Sequence, residues 1–230
     1  MAGSLRVGIS GWSYDAWGGD FYPEWLAKKR RLEYASRRLN SIELNGSFYS
    51  LQRPTSYRDW RRRTPDGFLF AIKGSRFITH NKKLGDVDDA LANFFASGVL
   101  ALEEKLGPIL WQVPGNLRFD ADRVAAFFDR LPKDSEAAAR VARGHDERVE
   151  GRSWTEVETR RRLRHAIEVR DESWLCAPMV RLARRHGVAI AFADSGRWPW
   201  VEELTAGFVY VRLHGSPDTY TSDYGPERLE

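Results

Sequence analysis

Short apolar runs recur along the chain, at LRVGIS (5–10), SIELN (41–45), FLFAIK (68–73), PILWQV (108–113), HAIEVR (165–170), VAIAFA (188–193) and FVYVRLH (208–214). Each is strand-sized and rich in Val, Ile, Leu or Phe, as strands buried on both faces are. Helical spacing fills the intervals at 23–39, 87–106, 121–131 and 177–187, the last closing on Gly187 after basic residues. Strand–helix alternation predicts a parallel sheet with helices outside it.

Side chains alternate along a strand, so each run has two faces. Ile42 and Leu44 oppose Glu43 and Asn45, and Ile167 and Val169 oppose Ala166, Glu168 and Arg170. Phe70 and Ile72 oppose Leu69, Ala71 and Lys73, while Val209, Val211 and Leu213 oppose Tyr210, Arg212 and His214. Gln112 sides with Leu110. One face is apolar throughout and suits a layer of helices; the other turns polar toward the C-terminal end of each strand. A closed barrel with a site at its C-terminal mouth predicts that pattern. An open nucleotide-binding sheet is disfavoured, because no G-x-G-x-x-G or Walker-type loop follows any strand, and GISGWSY places a tryptophan and a tyrosine where a phosphate loop needs small residues. The fold expected is therefore α/β, a (β/α)8 TIM-type barrel formed as a single domain over 1–230, with a charged helical and loop elaboration at about 132–163.

Composition narrows the setting. A chain of 230 residues with 42% hydrophobic content buries a sizeable core, and a formal charge of +4 permits an anionic partner without requiring one. The single cysteine, Cys176, excludes an internal disulfide and a Cys-rich zinc site. No apolar run approaches the roughly 20 residues of a membrane helix, and no leader pattern opens the chain, so a cytoplasmic protein without membrane contact is expected.

The motifs GISGWSY, FYPEWL, SIELNGSFYSL, TPDGFLFAIKGSRFITH, GPILWQVP, EVRDESW and YVRLHG, in that order from Val7 to Tyr224, together resemble the YecE-like family, known as domain of unknown function 72. The resemblance implies a TIM-type barrel and brings no established reaction. Members of the family usually continue past the YVRLHG strand through another helix to an eighth strand with a Phe-Asn-Asn-type motif, whereas this sequence stops at GPERLE. Seven strands are thus recognisable and the eighth is expected to be missing, which predicts either a homo-oligomer covering the open barrel edge or a less stable protein.

The predicted mouth collects Glu43, Asn45, Lys73, Gln112, Glu168, Arg170, Asp194, Arg212 and His214, with Thr79 and His80 on the following loop. A purely structural ion-pair network is one reading, since buried charges must be paired. The functional reading takes Glu43, Glu168 and His214 as catalytic. Glu168 beside Arg170 tends to stay ionised and Glu43 to hold a proton, the reverse assignment being open, and His214 is the alternative proton carrier. Lys73, Arg170 and Arg212 suit a phosphate or carboxylate. These cations oppose a divalent metal, and no H-x-H or H-E-x-x-H spacing appears, so neither metal nor cofactor is expected. Aromatics crowd the loops; Trp12, Tyr14, Tyr49 and Trp174 are candidates for substrate contact, Phe21, Tyr22 and Phe48 for rim packing, and Tyr220 stands in the last loop. The basic runs KKRR (28–31), RR (37–38), RRR (61–63) and RRR (160–162) read as solvated helix faces, with a nucleic-acid track as the minority reading.

Two functions follow. One is an enzyme acting by acid/base catalysis on an anionic, sugar-containing substrate: a sugar phosphate, a nucleotide or a nucleic-acid unit. The other is a non-catalytic module that binds a phosphorylated ligand or nucleic acid.

Overall fold

The computed structural model describes residues 3–215 and Tyr224; Tyr220 and the GPERLE end lie outside the described residues. The protein is α/β, with a mostly parallel sheet. Its residues gather into two compact units, the first from Met1–Ser75, Asp88–Ile109 and Pro132–Leu163, the second from Arg76–Val87, Leu110–Leu131 and Arg164–Glu230.

The first unit carries β1 (Gly8–Ser10), β2 (Ser41–Leu44), β3 (Leu69–Lys73) and the opening residues of β4 (Leu106–Gln112), in that order across the sheet. β1 and β2 are parallel, as are β2 and β3, in a register that sets Ser10 against Glu43 and Leu44 against Ile72. Glycine permits close approach at two of these strands: a Cβ at Gly8 would lie 2.3 Å from the Ser41 carbonyl, and one at Gly107 2.8 Å from that of Phe70. The helices are α1 (Arg31–Ser36), α2 (Gly46–Tyr49), α3 (Pro54–Arg63), α4 (Asp88–Ala96) and, after the next unit's α5 (Ala121–Arg130), α6 (Ser135–Ala142). The expected helix at 23–39 is shorter than its pattern: Lys28–Arg30 form a 3-10 turn, and only Arg31–Ser36 are α-helical. Ile42, Phe70, Ile72, Leu32, Phe94 and Phe95 have no solvent exposure and form the core of this unit.

In the second unit the order is β4, β5 (His165–Glu168), β6 (Ala189–Ile190), and β7 (Phe192–Asp194) pairs with β8 (Val211–Leu213). The run 188–193, expected as one strand, is split. β6 pairs with β5, and opposite that edge the Thr205 hydroxyl stands in for a strand, accepting from Ile190 N–H and donating to the Val188 carbonyl. Two residues later the partner is β8. α7 (Ala177–His186) ends on Gly187 at φ 64°, as its spacing predicts. The row Val209, Val211 and Leu213, expected under helices, is 50–53% exposed. Among the described residues the strand pairing does not close into a ring, and no helix is long and apolar enough to cross a membrane.

Gly98 holds φ 112° at the end of the turn after α4, and a Cβ there would sit 2.5 Å from the Cα of Pro54, which opens α3. Gly98→Ala therefore meets backbone strain and overpacking at once. It is expected to lower unfolding free energy by roughly 2–4 kcal/mol in urea titrations.

Candidate functional site

In the second unit, period-2 alternation stacks a polar layer on an apolar one. Leu110, Ala166, Ala189 and Ala191 form a buried cluster of mostly small side chains, with Phe208 and Tyr210 packed against it. One step farther along the same strand faces come Gln112, Glu168 and Arg212, then Arg170 and His214. Val113 N–H donates to the Glu168 carbonyl at 3.0 Å and His214 N–H to the Asp194 carbonyl at 2.9 Å, so backbone bonds fix these positions at the C-terminal ends of the strands.

Glu168 is the centre of this layer, with no solvent exposure. Arg170 Nε donates to its Oε1 at 2.8 Å, and Arg212 Nη1 donates to its Oε2 in a short contact. His214 Nε2 stands 3.8 Å from the same Oε2 and 3.2 Å from Arg212 Nη1. Gln112 receives a second bond from Arg170, Nη2 to Oε1 at 2.9 Å. Trp198 lies under the Arg170 guanidinium, 3.6 Å from its ring centroid, and meets His214 edge-on at 4.9 Å. Burial alone raises the Glu168 carboxyl, but His214 and the charges of Arg212 and Arg170 outweigh it and hold the group far below the usual carboxylate range. The carboxylate is thus ionised and sits between the two guanidiniums.

The other residues singled out from sequence fall in different surroundings. Asp194 is half-buried at the end of β7. Trp174 is enclosed, with 2% exposure, and donates Nε1–H to the Leu117 carbonyl at 2.7 Å. His80 lies on a single π-helical turn, Phe77–Asn81, with its Nδ1 2.9 Å from the Thr79 hydroxyl. The first unit holds a second polar group. Asn45 Nδ2 donates to the Ser10 hydroxyl at 2.7 Å, and Ser10 donates in turn to Glu43 Oε1 at 2.8 Å. Lys73, at the end of β3, is buried with its Nζ 4.3 Å from the Phe48 centroid. Trp12 packs edge-on against Trp60, Tyr14 donates to the Ser10 carbonyl at 2.6 Å, and Tyr49 is 69% exposed.

Two members of these groups escape the sequence reading. Ser10 is found by extending the alternation to β1, since its register partner is Glu43. Trp198 follows β7 in SGRWPW, the same strand-end position that singles out Trp174 after β5. No group of three or more His, Cys, Asp or Glu placed to hold a metal occurs among the described residues.

Because the Glu168 carboxyl is depressed only in the folded state, its stabilisation is complete above the unfolded value, about 4.3, and is lost as pH falls below it. Glu168→Gln leaves two guanidiniums facing an amide, so it is expected to destabilise by about 3–5 kcal/mol at neutral pH. It is also expected to flatten the decline in stability below pH ~4. Urea melts of both proteins across that range check it.

The model for the family described as protein of unknown function DUF72 matches residues 6–230. The UPF0759 protein YecE of Escherichia coli K12 is 26% identical over 226 residues, which cover 93% of this chain and 75% of that protein. The UPF0759 protein YunF of Bacillus subtilis is 27% identical over 117 residues, 48% of this chain and 40% of YunF. A crystal structure of a DUF72 family protein from Thermotoga maritima superposes with a TM-score of 0.69 at 24% identity, covering 97% of this chain and 79% of that one. A second, from Enterococcus faecalis, gives 0.65 at 15% identity, covering 97% and 80%. Those two likenesses are of fold, and the family match spans nearly the whole chain: it belongs to the DUF72 family.

Proposed function

We propose that this protein is an enzyme acting on an anionic, sugar-containing substrate, a sugar phosphate, nucleotide or nucleic-acid unit. Arg170 and Arg212 hold the anion, and His214 moves the proton. The observation that carries this reading is the buried Glu168 carboxylate gripped by two arginines with an imidazole 3.8 Å away. Glu168 acts as the fixed counter-charge that orients both guanidinium forks, since a carboxylate held so firmly ionised is a poor acid. Trp198 and Gln112 fix Arg170, and the imidazole of His214, beside Arg212 and Glu168, is placed to carry a proton. The parallel strands and the family match support the finer reading of the chain as a single TIM-type barrel domain, a fold that places its sites at strand C-terminal ends.

Thermal-shift screening against sugar phosphates, nucleotides and short oligonucleotides, followed by turnover assays on each hit, tests the reading. A ligand at ~100 times its Kd stabilises by about 2.7 kcal/mol. Arg212→Lys keeps the charge beside Glu168 but loses the fork, and is expected to weaken that ligand about tenfold or more. His214→Gln is expected to keep affinity and lose about 10²–10⁴ in rate. Glu43→Gln is the matched variant in the first unit, where loss of turnover with affinity kept makes Glu43 catalytic as well. Ligand binding that Arg212→Lys weakens, without turnover in any assay, makes the protein a binding module.

A further inference from the structure

Three basic runs that are separate in sequence meet on one surface of the first unit. KKRR (28–31) leads into α1, RR (37–38) follows it, and RRR (61–63) closes α3. Arg63 ties them together, pairing with Glu33 at 2.9 Å and donating to the Lys29 carbonyl. Carboxylates of this region are already engaged: Glu33 with Arg63, Asp59 with Arg62 and Arg63, Asp15 with Lys28 and Arg31. Arg30, Arg37 and Arg38 are exposed. Their guanidiniums form no ion pair among the described residues; Arg37 and Arg38 donate only to the Glu33 and Tyr34 carbonyls.

Arg30, Tyr34, Arg37 and Arg38 lie in α1 or just beyond its two ends. They line an open groove with Trp25. Trp25 is 76% exposed, while Trp111 and Trp174 are buried in the core. Arg38 lies over the Tyr34 ring, 3.5 Å from its centroid, which fixes one guanidinium at the groove wall. The groove therefore offers an indole face in water beside three exposed guanidiniums, with Glu33, itself paired to Arg63, as the carboxylate in its lining. An apolar partner would bury those cations unpaired, and a free phosphate would leave the indole unused. A duplex hides its base faces. A single strand presents both a π-face and a phosphate at every nucleotide. We propose that this groove binds single-stranded nucleic acid, with a base stacked on Trp25 and the flanking phosphates on Arg30, Arg37 and Arg38.

Fluorescence anisotropy of a labelled, mixed-sequence strand of about 20 nucleotides, longer than the roughly 4–16 such sites cover, tests this. Wild type is expected to bind, and to bind less tightly as salt rises from about 50 to 200 mM. Trp25→Ala is expected to weaken binding about tenfold. The double variant Arg37→Ala/Arg38→Ala is expected to weaken binding and to reduce the log–log salt slope by about 1.4. All three positions are exposed, so the circular dichroism spectrum and melting temperature are expected to stay as in wild type. Absence of binding at low salt overturns the proposal, as does binding that Trp25→Ala leaves unchanged. Equal affinity for the matching duplex or for polyglutamate overturns it too. Binding lost in Arg212→Lys but kept in Trp25→Ala assigns the strand to the second unit instead, and equally defeats this assignment.

Discussion

Burial of Glu168 is the constraint from which the second unit follows. A lone carboxylate with no exposure is several kcal/mol uphill, so its cations have to arrive from fixed places. Arg170 comes from two residues past Glu168, just beyond the end of β5, and Arg212 comes from β8. Both depend on backbone register, through the bond from Val113 to the Glu168 carbonyl and the pairing of Ala193 with Arg212. Below this layer the strands carry Ala166, Ala189 and Ala191, small enough to let the strand ends approach; larger aliphatic residues would push the polar layer apart. Trp198 closes the arrangement over Arg170, shielding the pair from water and so strengthening it.

The first unit solves a buried charge differently. Lys105, 4% exposed, has no close carboxylate ion pair among the described contacts, and its Nζ donates to the Arg61 and Thr64 carbonyls at 2.7 and 2.6 Å and to the Thr64 hydroxyl. Those carbonyls end α3, where unsatisfied acceptors and the helix dipole favour a cation. Burial pulls the ammonium toward its neutral form. Oxygen acceptors alone suffice for a cation at a helix C-terminus, whereas Glu168 in the sheet has no such dipole to draw on and takes two arginines. The same α3 terminus carries Arg61, Arg62 and Arg63, whose carboxylate partners Glu104, Asp59 and Glu33 come from three segments. That run is therefore a packing joint as well as a solvated face.

The strands were legible in the sequence because each apolar run is short, bounded and alternating. HAIEVR shows its inner face as Ala166, Glu168, Arg170, and the contacts of Glu168 follow that face. What the sequence does not show is where a hydrogen-bonding partner changes. VAIAFA reads as one strand, yet Thr205, fifteen residues after Ile190, supplies one edge through its side chain. Nor does a strand-end tryptophan reveal its neighbour. Trp174 and Trp198 occupy equivalent sequence positions, but Trp174 turns its N–H to a backbone carbonyl and Trp198 turns its face to Arg170. Ser10 was hidden for another reason: β1 is too short and glycine-rich to show an alternation by itself, and only its pairing with β2 places the hydroxyl between Glu43 and Asn45.

The Glu168 layer holds two guanidiniums in set orientations. Glu168 pairs with both guanidiniums, those of Arg170 and Arg212. The arginine side chains keep 17% and 10% exposure while Glu168 has none. The carboxylate holds each fork, at Arg170 Nε and at Arg212 Nη1, while further N–H groups meet other partners. One of these, Nη2 of Arg170, is taken by Gln112, which fixes the plane of that guanidinium. A planar group held in a set orientation binds an oxyanion with less entropy lost than a free arginine does.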